Sequence, residues 1–141
     1  MALDQPAGRS DRRLQLGILF GYLTIAVGYG SLGFSHTVWM AAACAMLAHM
    51  GGSTVWVFST TLLQLHTEDR FRGRVFSTDL GFSMLTIAAG AFLCGRLLDA
   101  GISARTVATW TGFVMLIPAA IWALTLRGGA EPAGQAAIRS E

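Results

Sequence analysis

Residues 14–67 read LQLGILFGYLTIAVGYGSLGFSHTVWMAAACAMLAHMGGSTVWVFSTTLLQLHT, and these 54 residues contain no Asp, Glu, Lys or Arg. One helix crossing a bilayer needs about 20 predominantly apolar residues. The stretch is therefore long enough for two spanning helices and a short connection. Gly33-Phe34-Ser35-His36-Thr37 is small and polar and supplies that connection. The first helix is expected over about 14–34 and the second over about 38–65. The second is long for a span, so it should tilt or project past the hydrocarbon.

Next comes Glu68-Asp69-Arg70-Phe71-Arg72-Gly73-Arg74, five charges in seven residues. Each charge costs about 2.5 to 3.5 kcal/mol at the centre of a spanning helix, so the segment is expected to be a loop outside the hydrocarbon. A third apolar run covers about 75–98, a turn follows at Ala100-Gly101-Ile102-Ser103, and a fourth run covers about 106–126. Residues 1–13 form an N-terminal arm. The Gly-, Ala- and Pro-rich residues 127–141 are expected to be a disordered tail.

Composition agrees with an all-α integral membrane fold of four transmembrane helices. Charged residues make up 13% of the chain and hydrophobic ones 53%, with a mean hydropathy of +0.54. Soluble domains carry about 25% charged residues to wet their surface. The net charge of +2 is too small to point to nucleic acid, and the basic residues lie in clusters between apolar runs. All ten are Arg, a compositional hint of a bacterial source.

Orientation follows from where those Arg residues fall. Arg9, Arg12, Arg13, Arg70, Arg72, Arg74, Arg127 and Arg139 lie on one side of the four-helix scheme, Arg96 and Arg105 on the other. The eight-to-two split puts both termini and the middle charged segment in the cytoplasm of a multi-pass protein of the bacterial inner membrane. A cleaved signal peptide fits less well, since its apolar region runs about 7 to 15 residues and the first run here is longer.

In lipid, helices associate through close packing and polar contacts. Gly17 and Gly21 form a GxxxG pair, Ala91 and Gly95 a second small-xxx-small pair, and Gly28, Gly30 and Gly33 continue the first. Pro118 should kink the fourth helix. Trp39, Trp110 and Trp122 sit near expected membrane interfaces. Cys44 and Cys94 lie in apolar runs with no metal or redox spacing.

The second helix carries the clearest pattern. At 100° per residue His49, Ser53, Trp56 and Thr60 share one face, while Met40, Leu47, Phe58, Leu62 and Leu65 lie opposite. A polar stripe deep in a bilayer should face protein or a water-filled cavity. Histidine ordinarily changes charge between about pH 5 and 8, so His49 fits a ligand contact or a proton site; a neutral His bonded to a neighbouring helix fits as well. The third helix has a weaker stripe of Asp79, Ser83, Thr86, Gly90 and Cys94. Asp79 lies one turn from the Arg-rich segment and reads as a structural anchor or an ion-coupling group. Arg96 and Asp99, three apart, are placed to pair locally. No catalytic triad, metal cluster or phosphate-binding loop occurs, so neither an enzyme nor a cofactor is expected.

Residues 63–77, with Arg70, Arg72, Gly73, Arg74 and then Val75-Phe76-Ser77, resemble the cytoplasmic loop between the tenth and eleventh helices of the major facilitator superfamily. Gly95-Arg96-Leu97-Leu98-Asp99-Ala100-Gly101 resembles the G-x-L-x-D-x-G that follows in that family. The nearest pattern is that of the drug and siderophore exporter branch, similar to the enterobactin exporter. Ala88-Ala89-Gly90 departs from the Pro-Leu-Gly of many relatives. The resemblance implies a partial C-terminal half of a major-facilitator-like bundle. It further implies a fragment of a proton-coupled exporter of small molecules that does not transport alone. Its partners would be the lipid bilayer, the missing transporter helices or a partner membrane chain, and a small-molecule substrate. The tenth helix lines the central cavity in that family, which would put the His49 face on the transport pathway. Two other readings compete: a four-helix membrane subunit without transport activity, and a small dimeric multidrug transporter. The latter class depends on an intramembrane Glu in its first helix, and residues 14–34 hold none.

Overall fold

A computed structural model describes residues 7–128, with side chains placed over 11–127. Five helices follow one another: α1 Ala7–Leu32, α2 Val38–His66, α3 Asp69–Asp99, α4 Ala104–Val114 and α5 Leu116–Gly128. They make four segments long and apolar enough to cross a membrane, Asp11–Leu32, Val38–His66, Asp69–Asp99 and Ala104–Arg127, the last combining α4 and α5. Residues 1–6 and the expected tail beyond 128 lie outside the described residues.

Local chemistry sets the helix ends. At the first turn Ser35 Oγ donates to the Leu32 carbonyl at 2.7 Å, and Thr37 caps α2 by accepting from the Met40 amide at 3.2 Å. A capping hydroxyl satisfies one of the donors a helix start leaves free. Ser103 caps α4 in the same way, accepting from the Thr106 amide at 3.2 Å. At the end of α3, Gly101 has φ +86°, the left-handed region that glycine enters without steric cost. Its amide donates to the Leu98 carbonyl at 2.9 Å and the Ile102 amide to Leu97 at 3.1 Å, the paired bonds of a Schellman stop.

Two expectations change. The charged segment is not a loop: α3 starts at Asp69, and only Thr67 and Glu68 separate it from α2. Asp69 in the first turn complements the helix dipole, and it pairs with Arg72 one turn on, Nη2 to Oδ1 at 2.9 Å. Charge is costly in hydrocarbon, but it does not stop a helix from forming. The fourth run breaks at Met115, three residues before Pro118, where the proline is expected to kink it. Proline has no amide to give the Val114 carbonyl, and its ring crowds that carbonyl. The helix therefore resets there. Helix α1 also begins at Ala7, earlier than the expected start at residue 14.

Helix α1 is the hub, packing against α2, α4 and α5. Its interior is built of small residues, the packing that membrane helices use in place of a hydrophobic driving force. Gly17 lies against the Phe58 ring, and Gly21 against Val55 and the Gly51 carbonyl. Gly28 backs onto Ala48, and Gly30 onto Gly112 of α4. Ile18, Ala26, Ala48, Val107 and Ala119 are the buried apolar residues. Two polar links tie the ends. Trp122 Nε1 donates to the Gln15 carbonyl at 2.9 Å, joining α5 to α1. His66 Nε2 meets Asp11 Oδ2 at 3.1 Å, joining the end of α2 to the start of α1.

Helix α3 stands apart. It touches α4 near their shared turn, and none of its residues is buried. Beside Ala91 and Gly95 there is no small-residue contact: a side chain added at Gly95 would meet open space.

Candidate functional site

The residues of α2 that meet α1 are Ala48, Gly51, Val55 and Phe58. At 100° per residue they centre nearly opposite the His49 stripe. Close packing on α1 thus turns His49, Ser53 and Trp56 away from the chain's own core. All three are exposed, Trp56 by 49%. Together with Gly52 and Val57 they line an open depression of about 450 Å³. Thr60 lies further along the same face, half-buried, and is not part of that lining. Among the described residues, no hydrogen bond reaches the side chains of His49, Ser53 or Thr60. Neighbouring hydroxyls do find partners in their own helix, as Thr54 Oγ1 does by donating to the Met50 carbonyl at 2.9 Å. His49 is the twelfth of 29 residues in α2, so it lies roughly 17 Å from one end of a helix about 43 Å long.

The charged segment organises the opposite end. The Arg70 guanidinium sits 4.4 Å above the Phe71 ring, a cation–π placement. Arg72 bonds Asp69 and also reaches back to the Gln64 carbonyl at 3.4 Å, fastening the start of α3 to the end of α2. Gly73 faces open space. Arg74 and Asp79 line a second open groove of about 440 Å³ with Leu63, Val75, Thr78 and Phe82. On the weaker stripe of α3, Asp79, Thr86 and Gly90 are exposed while Ser83 and Cys94 are half-buried, and Thr86 Oγ1 satisfies itself on the Phe82 carbonyl at 2.8 Å. Arg96 and Asp99 do not form an ion pair; the salt bridges among the described residues are Asp11–His66 and Asp69–Arg72.

Sequence reasoning missed the Asp11–His66 pair, the Trp122 link and the groove at Arg74. Asp11 and His66 flank two consecutive antiparallel spans, so their meeting was accessible from the helix bounds. The groove was not, because it depends on the angle at which α3 leaves α2. No group of three or more potential metal ligands occurs among the described residues.

The fold and this site define a helical chain with four segments able to cross a membrane and a polar face left open on one of them. Comparison with family models, with curated proteins and with solved structures finds no match for this chain.

Proposed function

We propose that this chain is the membrane-embedded C-terminal part of a major-facilitator-type, proton-coupled exporter of small molecules, in which the His49 face of α2 lines the substrate pathway. One observation carries the reading. His49 and Ser53 lie deep in a spanning segment, without hydrogen-bond partners among the described residues, on a face that no other helix of the chain covers. Polar side chains at that depth belong against protein or water, not lipid tails. Further helices, or a water-filled cavity between helix bundles, would meet that need. The uncovered α3 points the same way, and it also fits a membrane subunit whose role is assembly.

The experiment is a transport assay with two arms. The chain alone, in proteoliposomes, should give no substrate-dependent flux across a panel of drugs and siderophores. The chain joined to the helices that complete a major-facilitator bundle should restore saturable, proton-dependent efflux. Saturable flux from the chain alone would instead favour the dimeric transporter. No flux from the completed bundle would favour the assembly subunit.

The same reading places the protein in the bacterial inner membrane with both termini cytoplasmic, on the strength of the eight-to-two Arg split. Single cysteines test this in a background where Cys44 and Cys94 are replaced. His36 and Ser103 are exposed at one set of helix ends, and Gly73 at the other; Ser35 is buried and unsuitable. An impermeant thiol reagent should label His36→Cys and Ser103→Cys in intact cells, and Gly73→Cys after permeabilisation only. Labelling of Gly73→Cys in intact cells would reverse the orientation.

A further inference from the structure

We propose that Asp11 and His66 form a proton-operated clasp between the start of α1 and the end of α2, closed while His66 carries a proton on each ring nitrogen. The clasp works the same way whether the chain belongs to a transporter or to an assembly subunit. His66 Nε2 lies 3.1 Å from Asp11 Oδ2, and Nδ1 of the same ring lies 2.9 Å from the Leu62 carbonyl oxygen. Both partners are acceptors only. A neutral imidazole has one N–H and one lone pair, so it can serve one of them; an imidazolium has two N–H groups and serves both. Free imidazole holds a proton more tightly than a free carboxyl group does, so the proton between Nε2 and Oδ2 stays on the ring. Once that proton leaves, the ring turns a lone pair toward either the carboxylate or the carbonyl. Either way its two-point hold is broken.

Little else ties these two helix ends together. Among the described residues the pair is the one polar side-chain contact between α1 and α2. The glycine contacts of the two helices end at Gly17 against Phe58. Asp11 lies about 9 Å beyond Gly17 along α1, and His66 about 12 Å beyond Phe58 along α2. The Trp122 bond to Gln15 holds α1 to α5, not to α2. With the clasp open, the start of α1 can swing away from the end of α2.

Charged groups from each neighbouring element share this end: Arg12 and Arg13 of α1, Glu68, Asp69, Arg70 and Arg72 around the start of α3, and Arg127 of α5. Asp69 and Arg72 hold each other, and Arg70 lies over Phe71. Among the described residues none of the seven makes an ion pair with His66 or Asp11. The arginines oppose a cation at His66 and Glu68 favours one, but solvent ions screen such charges beyond about 8 Å. Asp11, in contact, dominates. The His66 side chain is 62% exposed and that of Asp11 27%, so water reaches the pair and the proton exchanges with solvent. Histidine ordinarily changes charge between about pH 5 and 8. The clasp is therefore closed on the acid side of that range and opens on the alkaline side.

The test measures the gap directly. The whole chain in nanodiscs, with Cys44 and Cys94 replaced, carries spin labels at Arg13→Cys and Leu65→Cys, both exposed positions, and distance distributions are recorded at pH 5.5 and pH 8. The population at longer distance should rise by up to roughly fivefold at pH 8, the most that an exposed ion pair supports. His66→Ala should show the long distance at both pH values. Asp11→Asn should remove the pH dependence, because an amide offers an acceptor to the charged ring and a donor to the neutral one. His36→Gln, at the other end of α2, should leave the shift intact. Nitrogen NMR of the histidine-labelled, unaltered protein gives a reading that needs no variant to fold: at pH 5.5 the His66 ring, identified by the signal that His66→Ala removes, should show two protonated nitrogens. A distance distribution that ignores pH would overturn the proposal. So would a pH shift that survives in His66→Ala, or a neutral His66 ring in the closed form.

Discussion

Gly51→Ala should separate α1 from α2, while Gly52→Ala, one residue on, should leave the bundle intact. A Cβ on Gly51 would lie 2.6 Å from the Gly21 carbonyl oxygen and 2.8 Å from the Ile25 nitrogen. Both are backbone atoms of α1, so neither can rotate away. One helix must move, and with it the contacts from Gly17–Phe58 at one end to Gly28–Ala48 at the other. Overpacking of this kind costs about 1 to 3 kcal/mol, and a bulkier Gly51→Leu should exceed that. A Cβ on Gly52 meets nothing within 4 Å. There alanine should be neutral or slightly stabilising, since it is a better helix former than glycine by roughly 1 kcal/mol. Thermal unfolding in detergent, followed by helicity, gives the comparison. Equal midpoints for the two variants would mean that α1 and α2 do not approach as closely as the structure shows. Gly112→Ala extends the test to α4, because its Cβ would lie 2.5 Å from the Gly30 nitrogen.

That pair of glycines also marks how far the sequence could be read. The GxxxG spacing of Gly17 and Gly21 put both on one face of α1, and that face is the one that meets α2. The spacing of Ala91 and Gly95 is equally good, yet Ala91 is exposed and a Cβ on Gly95 meets nothing within 4 Å. Periodicity tells which residues share a face; it does not tell which face has a neighbour. Gly51, whose backbone closely approaches Gly21 and Ile25 of α1, had no small residue four positions away to single it out.

The charged segment teaches the complementary point. Five charges in residues 68–74 marked where the apolar runs are interrupted, but conformation there depends on local bonds. Asp69 with Arg72, and Arg72 with Gln64, let α3 begin before the apolar run does. Pro118 was legible because its effect is covalent: the missing amide acts whatever surrounds it. The His49 stripe was legible as a face, and packing of the opposite side on α1 decided that this face is open. What the open face looks out on is not reported by periodicity.

On the proposed reading, His49→Ala in the completed bundle should reduce efflux substantially and His49→Asn should flatten its pH dependence. If the open face of α2 lines the pathway, His49 meets different surroundings in the inward-open and outward-open states. A proton held more tightly in one state shifts the balance between them, since a ligand moves an equilibrium by its differential affinity for the two states. Alanine removes both the hydrogen bonding and the proton site. Asparagine keeps donors and an acceptor but takes up no proton near neutral pH, so it isolates the second role. Ser53 and Trp56, lining the same depression, should change apparent substrate affinity when truncated, with less effect on the pH profile. Phe58 is a poor control for the opposite face because its ring rests on Gly17, and its loss would disturb the α1–α2 contact. Leu65, exposed by 61% on that side, serves better, and Leu65→Ala should transport normally once expression is matched. Efflux rates measured from pH 5.5 to 8 for each variant decide the matter. A parental rate and pH profile for His49→Asn would remove His49 from the proton path and leave it a packing residue against whatever covers α2.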